Sequence, residues 1–317
     1  MNFPAMINLY LAVSVVFPLF CMMALGYFLK AIGIFNDLFL KQLNGLCFRV
    51  FLPLVLFINI YQSDFFELFS AKLILFAVIL VVVSFISLMI IIPKIEQENN
   101  NRGVMIQGIF RSNYILFGVP IAQTLYGNEN TGTTAILIAF IIPLFNLLSV
   151  VALSIYSKQK QSKKHVFTEV IHNPLIIGSV VAFFFVLTNI RLPIIIEHTV
   201  TDISKVATPL ALIVLGGSFQ FKSIGEYKKQ LSISVLGKLI ILPGIFIPIA
   251  ILFGFKKIEL AALMALFASP TAVSTFTMAQ NARANYKLSG QIVVFDSILS
   301  VASIFLWIVV LKYFNLI

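Results

Sequence analysis

The chain has 317 residues, of which 60% are hydrophobic and 11% charged, with a mean hydropathy of +1.03. Soluble domains run near half apolar and a quarter charged, so this composition excludes a soluble enzyme, a disordered chain and a disulfide-stapled secreted domain. The net charge of +10 would suggest nucleic acid in a soluble protein, but here the basic residues lie in short loops between apolar runs, where membrane topology explains them.

Ten apolar segments follow one another, over roughly 8–29, 42–60, 71–92, 104–125, 133–156, 173–188, 199–219, 231–254, 259–279 and 290–313. A bilayer span takes about 20 apolar residues, and none of the segments alternates apolar with polar, so each is read as a helix. Segment 1 has no basic residue before Lys30 and is expected to remain as a helix rather than be cleaved as a signal. Cys21 and Cys47, in segments 1 and 2, are expected as buried free thiols. Segment 2 carries Asn44, Arg49 and Pro53. Segment 4 reads RSNYILFGVPIAQTLYG from Arg111, and Asn146 lies in segment 5. The polar stretch around Ser157–Lys164 then divides the chain into two groups of five. Segment 7 carries Asp202 and Lys205, a surface helix pair, and then Pro209. Segment 8 carries Lys238, segment 9 reads ALFASPTAVSTFTMAQNA from Ala265, and segment 10 holds Asp296 and ends in Trp307 and Tyr313.

Thirteen of the 22 Lys and Arg residues fall in the loops after segments 1, 3, 5, 7 and 9, which places those loops in the cytoplasm and both termini outside. Five helices per group is odd, so the second group enters from the opposite face, as in an inverted-topology repeat. Pro53 and Pro120 in the first group are echoed by Pro209 and Pro270 in the second. The fold class expected is an all-α polytopic membrane protein of ten transmembrane helices. It comprises a repeat over 1–156, a basic linker over 157–168 and an inverted repeat over 169–317.

Proline removes a backbone donor and clashes with the preceding turn, so segments 4 and 9 are expected to break at Pro120 and Pro270. A backbone break at mid-membrane is tolerated only against protein or a water-filled cavity, and half-helix N-termini attract anions. The hydroxyls of Ser269, Thr271, Ser274 and Thr275 cluster at the second break, where they can bond a carboxylate or their own helix. Ionisable residues at depth are functional candidates. Asp296 is the acid clearly inside an apolar run, and Lys238 either pairs with it or snorkels. Asn146 serves equally well to cap a cavity or to join helices. Hydrolase, zinc-protease and nucleotide-binding motifs are missing, which points to gradient-driven transport rather than catalysis.

These residues are similar to the auxin efflux carrier family, in its short prokaryotic, malate/malonate permease-like form. The likeness rests on Asn44 with Phe51-Leu52-Pro53-Leu54, on Arg111-Ser112-Asn113 with Phe117-Gly118-Val119-Pro120 and Leu125-Tyr126-Gly127, and on Thr208-Pro209-Leu210-Ala211-Leu212 with Gly216. It continues through Lys238-Leu239 with Leu242-Pro243 and Ala268-Ser269-Pro270 with Ala279, and so spans almost the whole chain. The resemblance implies two inverted five-helix repeats whose fourth and ninth helices are broken and cross. It also implies a scaffold part, a moving part and an organic anion as cargo. Asn113, Pro120 and Pro270 match the crossover motif. Plant members carry a second asparagine near the ninth-helix crossing and often a long cytoplasmic loop. Here Ser and Thr stand at that crossing and the loop is short, which points away from auxin itself.

The combined expectation is a secondary transporter of small organic anions, mono- or dicarboxylates such as malate or malonate, working by alternating access in a cytoplasmic or inner membrane. Asn113, Gly118, Pro120, Ser269, Pro270 and Thr271 are the substrate-binding candidates. Asp296, Lys238 and Arg111 are the candidates for ion coupling, with H+ or Na+ as the ion. No catalytic residue, metal, cofactor or nucleic-acid partner is expected, and a homodimer suits the scaffold. A channel or passive uniporter, and a membrane receptor or scaffold, are the alternatives.

Overall fold

The computed structural model describes residues 3–62, 70–127, 132–157 and 163–317. Among these residues the regular structure is entirely helical. In chain order the helices are α1 (Phe3–Ala31), α2 (Asp37–Leu46), α3 (Leu52–Tyr61), α4 (Ala71–Ile95), α5 (Asn99–Phe110), α6 (Tyr114–Tyr126), α7 (Gly132–Ile155) and α8 (Lys163–Ile171). They continue with α9 (Pro174–Leu187), α10 (Ile194–Ser204), α11 (Ala207–Ser218), α12 (Lys228–Leu236), α13 (Leu242–Leu252), α14 (Lys257–Ala268), α15 (Ser274–Asn281) and α16 (Tyr286–Tyr313). Six stretches are long and apolar enough to cross a bilayer: Asp37–Tyr61, Ala71–Ile95, Gly132–Ile155, Ile194–Ser218, Lys228–Leu252 and Tyr286–Tyr313. Val16–Ala31, Tyr114–Tyr126 and Pro174–Leu187 are shorter apolar helices. The expected linker 157–168 lies partly outside the described residues, and from Lys163 onward it is helical.

Prolines and caps set many of the boundaries. Asn36, Ser70, Asn173 and Asn285 cap α2, α4, α9 and α16 by accepting a first-turn N–H. Pro53 and Pro243 each follow a π-helical turn, Cys47–Phe51 and Gly237–Ile241, so α2 runs on into α3 and α12 into α13. The wider turn absorbs the bond that proline cannot make, and the helix bends without breaking.

Close packing between helices uses glycine. A Cβ on Gly26 of α1 would lie 1.9 Å from the Ile213 carbonyl of α11, and one on Gly216 of α11 would lie 1.9 Å from the Met23 carbonyl of α1. The two backbones therefore touch, as small residues permit in lipid, where no hydrophobic force draws helices together. Gly178 of α9 meets the Pro53 carbonyl of α3 in the same way, at 2.8 Å.

Polar contacts tie the loops into two groups. At one end Glu96 accepts from Asn101 and Gln230, Lys229 donates to the Ile95 carbonyl, and Asn285 donates to Asn101. Arg102 there bonds the Glu96 carbonyl, and its guanidinium stands 5.9 Å from the Tyr156 ring. At the other end Gln62 bonds Glu197, Tyr61 accepts from the Leu192 N–H, and Lys72 donates to the Phe253 carbonyl. The loops following α4, α11 and α15 thus lie at one end, joined through the first turns of α5 and α12. Cys47 is buried as expected, but Cys21 is exposed on the outer apolar surface, because it lies on the face of α1 that no helix covers. Asp202 and Lys205 form the expected exposed pair at 2.7 Å.

Candidate functional site

Two breaks meet in the interior. After Phe110 the backbone turns extended at Arg111 (φ −87°, ψ 128°), and helix resumes at Tyr114. After Ala268 it turns extended at Ser269 (φ −64°, ψ 148°), and helix resumes at Ser274. Ser112 and Thr271 pair as an antiparallel bridge, and the Asn113 N–H donates to the Pro270 carbonyl at 2.7 Å. The last four carbonyls of any helix lack an internal partner. Here each break supplies a donor to the other helix. The Ser112 hydroxyl donates to the Leu266 carbonyl of α14, and the Thr271 hydroxyl bonds the Gly108 carbonyl of α5. Gln107 adds a bond to the Thr275 carbonyl at 3.2 Å. The crossing therefore meets part of its backbone hydrogen-bond need from within, as a break at membrane depth requires.

The second break falls at Pro270, as expected. The first does not fall at Pro120. It comes at Arg111–Asn113, and Pro120 lies inside a continuous α6. The cross-break pairing, rather than proline, fixes its place. Pro120 leaves the carbonyl of Leu116, one turn back, without its helical donor, and Leu116 lines the cavity described next.

A cavity of about 70 Å³ lies beside the crossing. At about 10–15 Å³ for each water position, it has room for a few waters or one small solute. Its polar lining includes Arg111, Asn113, Asn146 and Ser274, with Leu52 and Leu175 among its apolar walls and no acidic residue. Arg111 is 4% exposed, and its guanidinium donates to Asn146 Oδ1 (2.6 Å), Ser274 Oγ (2.7 Å) and Ser149 Oγ (3.4 Å) and touches Met278 Sδ (2.6 Å). The Nδ2 groups of Asn113 and Asn146 are buried and have no hydrogen-bond partner among the described residues. The helix α6 also starts here, and its first amides and positive dipole end border the same space.

Of the substrate-binding candidates, Asn113 lines this cavity. Ser269, Pro270 and Thr271 form the strap behind it, and Ser269 bonds its own helix at the Ala265 carbonyl. Gly118 is packed against the Tyr114 ring, where a Cβ would meet ring carbon at 2.8 Å. Among the ion-coupling candidates, Arg111 lines the cavity, whereas Lys238 and Asp296 do not. Lys238 and Asp296 are fully buried and reach the crossing from its other side. They do not pair directly. Lys238 Nζ donates to the Ser112 hydroxyl, and the Asp296 carboxyl bonds the Thr271 hydroxyl. Asn146 does both things the sequence left open, joining α7 to Arg111 and lining the cavity. Ser274 gains its contact with Arg111 only through the fold, since 163 residues separate them.

Met278 also lines a second cavity, of about 300 Å³, together with Glu169 and His172. The sulfur of Met278 thus separates that space from the Arg111 guanidinium.

A search among curated proteins finds no match to the chain. The family model described as membrane transport protein matches residues 11–308. With nearly the whole length covered, on a helical chain with several apolar spans, the protein belongs to the membrane transport protein, or auxin efflux carrier, family.

Proposed function

We propose that the protein is a secondary transporter of small organic anions, mono- or dicarboxylates such as malate or malonate, and that the cavity beside the crossing binds the carboxylate. The observation that carries this reading is the donor balance of the cavity. A guanidinium and two unpartnered, buried Asn Nδ2 groups face a space with no acidic wall. Unmet donors in a buried site favour a ligand that brings acceptors, and charge-assisted bonds to a carboxylate are the strong form of that match. Membership of a transporter family supports the same reading. Arg111 and Asn113 would read the carboxylate, the amide ends of α6 would share its charge, and Ser269, Pro270 and Thr271 would hold the strap in place.

The architecture we propose joins α2 with α3, α5 with α6, α10 with α11, α12 with α13 and α14 with α15 into single spans. Together with α1, α4, α7, α9 and α16, these make ten helices in two inverted repeats. The protein would sit in the cytoplasmic or inner membrane with the Lys/Arg-rich loops inside. Alternating access would open the cavity to each side in turn, and Met278 would close one path. Asp296 is the candidate for coupling to H+ or Na+, and a homodimer suits the scaffold.

The test is uptake of labelled malate and malonate into proteoliposomes. Saturable uptake and counterflow, both lost in Asn113→Ala, are the expected result. Counterflow for neutral or cationic solutes but for no carboxylate would overturn the reading.

A further inference from the structure

A third cavity, distinct from the crossing, opens at the end of the molecule where the loops after α4, α11 and α15 meet. It measures about 590 Å³ and lies between α2, the π-helical turn that follows it, and the end of α15. Lys41, Arg49 and Arg283 line it, and all three are exposed. None of the three side chains makes a hydrogen bond or ion pair with another described residue, and no carboxylate lines the space. Asp37, the nearest acid in sequence, is taken by Lys30. Three unpaired cations around one cavity repel one another, an arrangement that an anion relieves.

The walls identify the source of that anion. Leu38 (66% exposed), Leu46 (45%) and Val50 (41%) line the same cavity. In a membrane protein, exposed leucine and valine beside a helix face acyl chains. Arg49 lies eight residues beyond Lys41, about 12 Å of helix rise deeper. Its side chain leans toward the helix N-terminus, and a long stem carries the charge back toward the Lys41 end. Arg283 reaches the same space from a left-handed turn (φ 55°) after α15. Cations at the rim with apolar walls below match a phosphate headgroup above its chains.

We infer that this cavity binds the headgroup of an anionic phospholipid. The phosphate is held by Lys41, Arg49 and Arg283, and the chains lie along Leu38, Leu46 and Val50. The site stands independently of the cargo.

Native mass spectrometry of the full chain, purified in the presence of phosphatidylglycerol or phosphatidylcholine, tests this directly. The wild type is expected to retain phosphatidylglycerol selectively, and high salt to release it. Lys41→Gln/Arg49→Gln/Arg283→Gln is expected to reduce retention at least about tenfold, given the roughly fivefold effect of each basic residue near an anionic surface. The charge-keeping triple Lys41→Arg/Arg49→Lys/Arg283→Lys should retain the lipid. The control Lys94→Gln/Lys228→Gln/Lys287→Gln removes the same charge elsewhere and should retain it as well. Equal loss in the control, equal retention of both lipids, or displacement by free glycerol phosphate at low millimolar concentration would each overturn the inference. The last result would mark a soluble-anion site, such as an antechamber for cargo. Should the neutral triple fail to fold, the salt titration and headgroup selectivity of the wild type decide the matter.

Discussion

Thr271 and Asp296 are hydrogen-bonded across the crossing, and the same Thr271 hydroxyl also bonds the Gly108 carbonyl. A hydroxyl owns one hydrogen and cannot donate to both. With both bonds made, the second hydrogen belongs to the Asp296 carboxyl, whose other oxygen has no partner among the described residues. An asparagine there offers an N–H in the same place. Asp296→Asn is therefore expected to fold normally and to keep saturable malate uptake, while losing any stimulation by an inward proton gradient. Uptake with and without that gradient checks this. Full retention of the stimulation would remove Asp296 from the coupling role.

Arg111 brings the cationic charge to the cavity at the crossing. A hydrogen bond to a charged group is worth about 1.5–3 kcal/mol, so Arg111→Gln should weaken carboxylate binding by about 10- to 100-fold. Arg111→Lys should not restore it, since an ammonium cannot reproduce the planar group that reaches Asn146 and Ser274 through Nη2 and Ser149 and Met278 through Nη1. Equilibrium binding of labelled malate to the solubilised variants measures both. An unchanged affinity in Arg111→Gln would place the anion elsewhere.

Lys238 is buried, and Ser112 is its hydrogen-bond partner. Leaving a buried ammonium without its partner costs at least about 1–3 kcal/mol, whereas Lys238→Met removes the ammonium and leaves Ser112 its bond to the Leu266 carbonyl. Ser112→Ala should therefore lower the unfolding temperature clearly, and Lys238→Met should lower it little. The double variant should resemble Lys238→Met. Thermal unfolding in detergent gives the comparison, and additive losses would show the contact to be unimportant.

Three glycines separate packing from flexibility. Gly26→Ala and Gly216→Ala each drive a methyl into a backbone carbonyl, where overpacking costs about 1–3 kcal/mol or more. Gly244, within α13, has nothing within 4 Å of an added Cβ. Gly244→Ala should be neutral or stabilising, since alanine favours helix. Unfolding temperatures that rank these three otherwise would contradict the close approach of α1 and α11.

Composition and hydropathy were enough to read helices near almost every observed element, because apolar length is a local property. Pro270 marked its break for the same reason. Pro120 misled, because a proline is tolerated within a helix when neighbours meet the freed carbonyl. What broke the chain at Arg111 was pairing with residues about 160 positions away, which no local pattern encodes. Lys238 and Asp296 were visible as ionisable residues inside apolar runs, but their partners were not. Each takes a crossover hydroxyl, and that choice depends on where Ser112 and Thr271 cross. The cavity residues Asn146 and Ser274 were likewise visible as polar residues and became a site only through Arg111.

The backbone contact between α1 and α11 has a mechanical consequence. Two helices whose carbonyls and glycines touch cannot slide past one another without first separating. The opening helix of the chain is thus fastened to a helix from its second half, and α3 is fastened to α9 in the same manner. A boundary drawn by stiffness would cut the molecule differently from one drawn along the sequence. Any displacement of α1 or α3 must therefore carry α11 or α9 with it, so the stiff pairs cut across the two halves of the sequence.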